Sequence, residues 1–482
     1  MRQAKNLYQY LYNSLASQIE CGYLQPGQML PSQPRLCEQY NVGITTVRKV
    51  VQMLAQDGYV RQTAGKPAQV IYRETPEGYA CALLKRRKGV ADAFYGLRVI
   101  MPPLYTEGAR RCGDNDIKVM ESLALSLAED LTQKEIYSRA NSFFCHLISQ
   151  LNNLLAMDLQ TDAENYLRVP YFAFPGINNP SLLSAGKVRR FIEEAVKMIQ
   201  TRAFESLYQH IEQMYLDAYE TVERYMQALS RIVKPEQTVD GSYRWFTSKV
   251  RSELYLRLAM SLLRRIATGE FNGQKYLPSI PAIMQEYGVM KDTASRAVGY
   301  LNMIGVVETL DKKGTVLSVK CRSQSKIDLQ DKLVQSRLSL FLDAIQIIVL
   351  TVRASAASMA TSYDEKRICQ IKAVIAKTPD ERLNSIAVQR MVEVLVELSP
   401  YHSLQNIYRQ LYELMLWGYY LEFVDEKYHR PNENVRKGML CFLDAFKSGD
   451  RTVLSASMEF TMTEIFHQTN AVIKAVGLMG KP

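Results

Sequence analysis

Two clusters of hydroxyl and basic side chains lie 247 residues apart in the chain, and their types suit the binding of nucleic acid. Threonine and serine hydroxyls donate and accept hydrogen bonds at base edges, while arginine and lysine reach guanine or phosphate oxygens. A helix that presents such residues in its first turn also directs its unpaired backbone amides at phosphate. The first cluster comprises Thr45, Thr46, Arg48 and Lys49, and the second comprises Lys291, Thr293, Ser295 and Arg296.

Two helices are predicted ahead of the first cluster. Leucines and an isoleucine at helical spacing over 4–21 predict an amphipathic helix, which Gly22 ends. Ser32 is a natural N-cap for a short second helix over 34–40. That second helix carries a further cation, Arg35.

The first cluster lies on a third helix, predicted over 45–57. Valines and a leucine on this helix point inward, which leaves the cluster near the exposed N-terminal end. Alternating residues over 59–62 and 69–72 predict two strands around a turn at Gly65-Lys66. Three helices and a two-stranded wing are the layout of a winged helix-turn-helix. Its third helix enters the major groove of DNA, and the wing tip lies along the backbone or minor groove.

The whole pattern occurs a second time. Residues 22–58 and 269–305 share a starting glycine, a Leu-Pro-Ser motif, a Tyr-x-Val corner, a threonine, a leucine and a final glycine, with no gap between them. In the second copy Ser279 is the expected N-cap, and a third helix is predicted over 292–303. Lys312-Lys313 stand at the tip of the second wing. One chain is therefore expected to carry two DNA-binding modules.

Three strings in the first copy carry a family resemblance. They are Pro26-Gly-Gln-Met-Leu-Pro-Ser, Val42-Gly-Ile-Thr-Thr-Val-Arg-Lys49 and Leu54-Ala-Gln-Asp-Gly-Tyr-Val60, followed by the wing glycine. Over residues 5–72 the chain resembles the DNA-binding domain of GntR-family transcriptional regulators. It departs from that family at Gly43-Ile44, where a Ser-Arg pair is usual, and at Pro34, where an arginine is usual, so the target sequence is expected to differ. The resemblance implies DNA contacts at Arg35, Thr45, Thr46, Arg48, Gly65 and Lys66.

The second copy keeps only part of this chemistry. Thr293 and Arg296 retain the hydroxyl and the cation of the first copy, but Asp292 replaces a threonine and Ser295 an arginine. An aspartate in the first turn stabilises a helix, yet it repels phosphate. Two interpretations stay open. The second copy binds DNA and the operator is asymmetric, or it is a degenerate copy kept for packing in a protein-interaction or sensor scaffold.

Positive charge is concentrated in the two modules. The chain has a formal net charge of +10; residues 1–73 hold eight Lys/Arg against three Asp/Glu, and residues 243–322 hold thirteen against six. The rest of the chain is slightly negative. This segregation favours a polyanionic partner, namely double-stranded DNA, over a merely soluble basic protein.

Each module is followed by a long segment with helical periodicity and few strand signals. The sequence thus predicts a mainly α fold, with two winged helix-turn-helix domains (1–74 and 243–322), each followed by an all-helical bundle (75–236 and 323–482). A hinge is expected at Gln237–Ser242. The segments with the clearest helical period are 119–130, 135–155, 188–200, 204–230, 327–359, 384–398, 404–422, 435–447 and 452–475.

The strings Ser399-Pro-Tyr-His-Ser-Leu404 and Phe442–Asp450 resemble landmarks of the ligand-sensing bundle in the FadR branch of the GntR family. That resemblance implies a small-molecule effector and, in many members, a metal held by one Asp and three His. No matched position carries such a ligand, so no metal or other cofactor is expected. The matched positions are Val388, Val392, Met439 and Thr461 in the second copy, and Asn141, Cys145, Arg189 and Ile211 in the first.

Two further features have more than one interpretation. The aromatic residues Tyr408, Tyr412 and Trp417 could line an effector pocket, or they could belong to a core or a dimer interface. The basic run Lys85–Lys88 could add a phosphate contact, or it could be a solvated charge run.

Several classes of protein are excluded. A pyridoxal-phosphate aminotransferase-like domain, which some GntR-type proteins carry, needs a long α/β segment that the second module interrupts, so an enzyme is not expected. The eight cysteines are scattered, which argues against disulfides and zinc. No signal peptide or long uncharged apolar stretch is found, so a cytoplasmic bacterial-type regulator without membrane association is expected. Whether two copies in one chain suffice, or chains pair into a homo-oligomer, stays open.

Overall fold

The computed structural model of the chain describes residues 6–20, 22–40, 42–169, 177, 184–234, 242–247, 254–271, 273–317, 332–359, 365–378, 383–424 and 433–475. These residues are mainly helical, as the sequence predicts, and they belong to two compact units. The N-terminal unit spans Lys5–Val250 and Tyr401–Ile407, and the C-terminal unit spans Arg251–Pro400 and Tyr408–Pro482.

The N-terminal unit begins with a winged helix. Its strands are antiparallel, with Val60 opposite Val70 and Arg61 opposite Gln69. Leucines and valines from all three helices, together with Val60 and Val70, form one hydrophobic core, which fixes the third helix against the first. The elements are α1 (Asn6–Glu20), α2 (Gln33–Tyr40), α3 (Ile44–Gln56), β1 (Val60–Arg61) and β2 (Gln69–Val70).

Within the described part of this unit, seven helices follow the winged helix. The long helices α5 and α10 pack along each other, and α5 also contacts α7 and α8. Gly108 permits the close approach of α5 to α7, because a Cβ atom there would lie 2.0 Å from the Leu147 carbonyl oxygen. The helices are α4 (Pro76–Lys85), α5 (Arg87–Arg110), α6 (Asp114–Leu125), α7 (Gln133–Ser149), α8 (Leu154–Leu167), α9 (Ala185–Gln200) and α10 (Phe204–Ile232).

The C-terminal unit repeats this order. Its winged helix has a longer wing, in which Val307 pairs with Leu317 and Leu310 with Gly314 in antiparallel register. A helix of this unit, α11, packs against the third helix of the module as α1 does in the first copy. The elements are α11 (Leu254–Ala267), α12 (Ile280–Tyr287), α13 (Lys291–Met303), β3 (Val307–Leu310) and β4 (Gly314–Leu317).

The second bundle keeps the 247-residue offset helix by helix, since α14–α17 match α5–α8 and α19–α20 match α9–α10. As in the first copy, the two longest helices, α14 and α20, pack together. Within the described residues one stretch, Val334–Ser358, is long and apolar enough to cross a membrane, but 67% of its most apolar window is buried, as expected of a core helix. The helices are α14 (Lys332–Ser358), α15 (Glu365–Lys377), α16 (Leu383–Leu398), α17 (His402–Met415), α18 (Gly418–Val424), α19 (Glu433–Ser448) and α20 (Arg451–Ala475).

Two predicted helices are each interrupted. The segment 135–155 breaks after Ser149, because Asn152 adopts a left-handed conformation (φ 49°) and the Asn153 side chain accepts a hydrogen bond from the Ala156 amide at 2.8 Å, which caps α8. The segment 404–422 breaks at Leu416-Trp417. The sequence prediction also missed α4 and α5, which directly follow the first wing.

The connection between the copies differs from the expectation in one respect. Residues 237–241 of the expected hinge lie outside the described residues, but the segment 242–247 is described and belongs to the N-terminal unit rather than to the second winged helix. Its Trp245 is fully buried, and the indole Nε1 donates a hydrogen bond to Asp158 at 2.8 Å. We call residues 242–246 the strap.

Candidate nucleic-acid interface

The third helix of the first copy separates buried from exposed side chains as the sequence predicts. Its inward side is buried, and on its outer side Thr45, Arg48 and Lys49 are exposed while Thr46 is half-buried. The helix starts after Gly43, whose backbone is extended, and the residues at this end, Gly43, Ile44 and Thr45, are exposed. The four predicted residues thus share one outward-facing end of α3.

Neighbouring elements brace this end. The Arg48 Nε atom lies 3.4 Å from Gln33 Oε1 on α2. Ser32 is the N-cap of α2, as predicted, because its hydroxyl accepts a hydrogen bond from the Arg35 amide at 3.4 Å. Arg35 itself is exposed on α2. The Lys49 ammonium lies over the ring of Tyr8 on α1, 4.1 Å from its centroid.

The first wing ends in a tight turn. Gly65 has a φ of 73°, which a residue with a side chain rarely adopts, and the Lys66 amide donates a hydrogen bond to the Thr63 carbonyl at 3.1 Å. Lys66 is exposed at the tip. The wing thus presents its cation to solvent, as a contact with the DNA backbone requires.

The second copy reproduces this exposure at every matched position. Lys291, Ser295 and Arg296 are exposed, and Thr293 is half-buried. Asp292, the residue that repels phosphate, is exposed in the same turn. The Arg296 guanidinium lies 4.1 Å from the centroid of the Tyr255 ring, at the position that corresponds to Tyr8.

The second wing has the same turn with a different residue. Lys312 stands where the first copy has Gly65, and it keeps a left-handed backbone with a φ of 56°. The Lys313 amide donates a hydrogen bond to the Leu310 carbonyl at 3.2 Å, the counterpart of the bond in the first wing. Both lysines are exposed. Ser279 caps α12 by accepting from the Ala282 amide at 3.4 Å.

Both copies also tie their first helix to their second helix in the same way. In the first copy the Tyr40 hydroxyl lies 3.3 Å from Ser14 Oγ and accepts a hydrogen bond from Gln18 at 2.9 Å. In the second copy the Tyr287 hydroxyl lies 3.4 Å from Ser261 Oγ and accepts a hydrogen bond from Arg265 at 3.0 Å. The offset is therefore kept in specific contacts as well as in the order of helices.

Sequence reasoning missed the two tyrosines under the basic side chains. Their signal was present in the repeat, because Leu7-Tyr8 returns as Leu254-Tyr255. The angle at which α1 packs on α3 decides which residue lies under a given cation. The periodicity of the sequence does not predict that crossing angle.

Two arginines of the basic run at the start of the first bundle turn inward, whereas Lys88 is exposed. The Arg86 guanidinium donates to the Tyr166 carbonyl at 2.8 Å and lies 4.9 Å from that ring's centroid. Arg87 pairs with Glu223 on α10. These two arginines therefore hold the bundle together, and neither the phosphate contact nor the solvated run describes them.

The aromatic residues proposed for an effector pocket lie apart. The Tyr408 hydroxyl is buried 2.9 Å from Thr351 Oγ1 and donates to Ser355 Oγ at 2.7 Å. Trp417 packs edge-on against Tyr300 of α13, with ring centroids 6.1 Å apart. Tyr412 lines a small cavity of the second bundle, whose volume of about 20 Å³ suits one water molecule.

The positions matched to a metal site offer no ligand set. Val392, Met439 and Thr461 are fully buried in the second bundle, and the Thr461 hydroxyl donates to the Ser457 carbonyl at 2.7 Å. Within the described ranges, no three His, Cys, Asp or Glu side chains lie close enough together to hold an ion.

Comparison with known families gives two matches at the two winged helices. The model of the bacterial regulatory proteins of the gntR family matches residues 7–70 and residues 254–317. These are the same two segments that the internal repeat relates, and each contains a complete set of the exposed residues described above.

Individual relatives match parts of the chain. The HTH-type transcriptional regulator TreR of Bacillus subtilis is 41% identical over 69 residues, which cover 14% of this chain and 29% of that protein. The fatty acid metabolism regulator protein of Shewanella baltica is 27% identical over 184 residues, 30% of this chain and 77% of the relative. The match to the first of these spans less than a third of its length.

A solved structure, Escherichia coli McbR/YncC, aligns with 46% of this chain and 98% of its own at 15% identity. Its TM-score of 0.25 is too low for the superposition to bear on the fold. The family matches rest on sequence, and they coincide with the two modules. The chain therefore carries the domain of the gntR family of bacterial regulatory proteins twice, once in each winged helix.

Proposed function

We propose that the chain is a cytoplasmic, non-enzymatic transcription regulator that binds one operator through both winged helices and responds to a small ligand at its helical domains. One observation carries the proposal. The outward end of the third helix and the wing tip present hydroxyls and cations in both copies, at the same positions of the repeat. To bind two successive stretches of phosphate backbone, each module needs exposed cations, and both modules have them at matching positions.

The charge distribution supports this proposal. Both modules carry excess positive charge, whereas the remainder of the chain is slightly negative. A protein that neutralises phosphates with such side chains releases counterions, and its affinity then falls steeply with salt. A relative that matches 69 residues of the chain is itself named a transcriptional regulator, which supports the proposal.

The operator is proposed to be asymmetric. Arg48 and Thr45 in the first copy correspond to Ser295 and Asp292 in the second, so the two helices offer different groups to the bases. Linkage in one chain raises the effective concentration of the second module once the first is bound. A weaker second module therefore still contributes to the affinity for the whole site.

The experiment is a salt titration of DNA binding by the full chain. The probe is the DNA upstream of its own gene, and the variants are Arg48→Gln and Arg296→Gln. Each variant is expected to weaken binding and to flatten the plot of log K against log salt by about one unit, since each removes about one phosphate contact. Arg451→Gln, an exposed cation of the second bundle, removes the same charge away from both modules and is the matched control.

The outcomes separate the candidate functions. Absent or salt-independent binding at low ionic strength would refute the proposal and leave the interaction scaffold. A loss with Arg48→Gln but none with Arg296→Gln would leave a single DNA-binding module, with the second copy kept for packing.

A further inference from the structure

A large cleft lies inside the N-terminal unit, beside the first winged helix. Its volume is about 870 Å³, within the range of small-molecule sites. Its walls are α1 of the winged helix, residues Tyr59, Tyr72 and Glu74 beside the wing, α4, α8 and the strap. We call it the α4 cleft. No residue of the DNA interface described above lines it.

The floor of the cleft is one face of α4. Gly78, Cys81, Ala82 and Lys85 line it at positions i, i+3, i+4 and i+7, which form a single stripe on a helix. The first three are small. The Glu74 side chain packs over Gly78, where a Cβ atom would lie 2.1 Å from the Glu74 Cγ atom, so Glu74 lies directly on this face of α4. The stripe ends in a cation. At 1.5 Å per residue, the two ends of α4 are roughly 14 Å apart.

The end of the cleft near the start of α4 is acidic and aromatic. The Tyr59 and Tyr72 rings lie there with centroids 5.3 Å apart, and the Tyr59 hydroxyl donates to Glu20. The Tyr72 hydroxyl donates to Glu74 at 3.4 Å. Because the hydroxyls are directed at carboxylates, the ring faces and the remaining carboxylate lone pairs are what this end offers, and both attract an ammonium group.

The other end is mainly basic. Lys85 and Arg86 close α4, and Arg244 of the strap lines the same cleft, together with one carboxylate, Asp162, near Tyr243. Arg86 is fixed by its bond to the Tyr166 carbonyl and its contact with that ring. A carboxylate at this end would meet Lys85 and the nearby guanidinium groups, which are the usual partners of anions in proteins.

We propose that the α4 cleft binds an elongated zwitterion of the short-peptide class, with its ammonium at Glu20 and Glu74 and its carboxylate at Lys85. An extended peptide advances about 3.4 Å per residue, so four residues span the roughly 14 Å between the two ends. The lining holds three carboxylates and three cations, so a ligand with one charge of each sign leaves the net charge of the cleft unchanged.

The strap links such a ligand to the second half of the chain. Trp245 anchors it to Asp158, and Tyr243 is buried with its ring 5.1 Å from the Tyr166 ring. Its other residues line the cleft, and the chain continues from it into the second winged helix. An occupied cleft touches the first winged helix and the strap together, which is how the ligand response of the proposed function would arise; this step rests on that proposed function.

The test is isothermal titration calorimetry of the full chain without DNA. The probes are tetra-alanine, N-acetyl-tetra-alanine, tetra-alanine amide and di-alanine. Tetra-alanine is expected to bind, and each capped peptide to bind about tenfold more weakly, because each loses one charge-assisted interaction. Di-alanine is too short to reach both ends and is expected to bind no better than the capped peptides.

Two substitutions assign the ends. Glu74→Gln is expected to weaken the binding of tetra-alanine but not the binding of the acetylated peptide. Lys85→Gln is expected to weaken the binding of tetra-alanine but not the binding of the peptide amide. Glu77→Gln and Lys88→Gln, exposed residues on the same stretch that do not line the cleft, are the controls. Equal binding of all four peptides, or none by tetra-alanine at millimolar concentration, would overturn the proposal. Since no DNA is present, either result is independent of the DNA titration.

Discussion

The Lys49 ammonium lies 4.1 Å from the centroid of the Tyr8 ring. In the second copy the lysine has become Arg296, and the guanidinium lies 4.1 Å from the ring of Tyr255. The cation has changed while the tyrosine and the distance have not. A ring face holds a cation from one side and leaves its outer N–H donors available. The contact therefore orders a long side chain before DNA arrives, and less conformational entropy is lost on binding.

The first prediction concerns this tyrosine. Tyr8→Leu is expected to weaken DNA binding about three- to tenfold, because Lys49 must then be ordered at the moment of binding. The slope of log K against log salt is expected to stay unchanged, since the number of phosphate contacts is the same. Fluorescence anisotropy over a salt series measures both quantities.

Three variants control this experiment. Tyr8→Phe keeps the ring face and is expected to bind as the wild type does. Lys49→Arg is expected to be tolerated, as the second copy shows that an arginine fits over the ring. Lys49→Gln is expected to reduce the slope by about one. A slope change with Tyr8→Leu would show that the ring acts on the fold of the module and not on the cation.

The second wing carries a strained lysine. Lys312 has a φ of 56° at the position that a glycine takes in the first wing. Lys312→Gly is expected to raise the free energy of unfolding of the C-terminal unit by up to about 1 kcal/mol, because glycine adopts this conformation without steric cost. Unfolding of the C-terminal unit is measured by the fluorescence of Trp417. Because the chain has two tryptophans, the other is removed by Trp245→Phe. The mirror change, Gly65→Ala at a φ of 73°, is expected to destabilise the first wing. Lower stability in Lys312→Gly would contradict this account.

The fold was largely predictable because the same sequence pattern occurs in both halves of the chain. The Leu-Pro-Ser strings, the positive-φ glycines Gly22 and Gly269, and the apolar spacing of the third helices fix local structure that needs no distant partner. The N-caps at Ser32 and Ser279 follow from the same local chemistry.

What could not be predicted depends on distant contacts. The inward turn of Arg86 is decided by Tyr166, which is 80 residues away along the chain. The sequence places Trp245 in the second winged-helix domain, but in the structure it is buried in the N-terminal unit and bonds to Asp158 of α8. No window of sequence contains both partners of these contacts. The α4 cleft was likewise hidden, because its acidic and basic ends come from four separate segments.

The first module should respond to alkaline pH through Tyr12. Its hydroxyl donates to Asp57 at 2.5 Å, and burial together with this carboxylate raises the pKa of Tyr12 from 10.0 to about 12. A tyrosine whose pKa is higher in the folded state contributes stability below its unfolded pKa and loses it as the pH rises. The contribution is thus complete below pH 10 and is lost between pH 10 and about 12.

Tyr12→Phe tests this dependence. The variant is expected to be less stable than the wild type at pH 8 and to lose less stability between pH 10 and 12, because it has no proton to release there. Urea unfolding followed by Trp245 in a Trp417→Phe background measures the N-terminal unit alone. Parallel pH curves for the two proteins would show that the Asp57 bond does not persist in solution.

A substitution of the buried Tyr408 distinguishes a core role from an effector-pocket role for the aromatic residues. Burial raises the pKa of Tyr408 to about 12, and its hydroxyl bonds with Thr351 and Ser355 inside the second bundle. Tyr408→Phe is expected to lower the free energy of unfolding by about 1–2 kcal/mol, because the Ser355 hydroxyl loses a buried partner. DNA affinity and the response to peptide are expected to stay unchanged. The half-buried Tyr412→Phe, which loses no bond that the structure shows, is the control. If Tyr408→Phe abolished the response to peptide without changing stability, the effector site would lie at these aromatic residues.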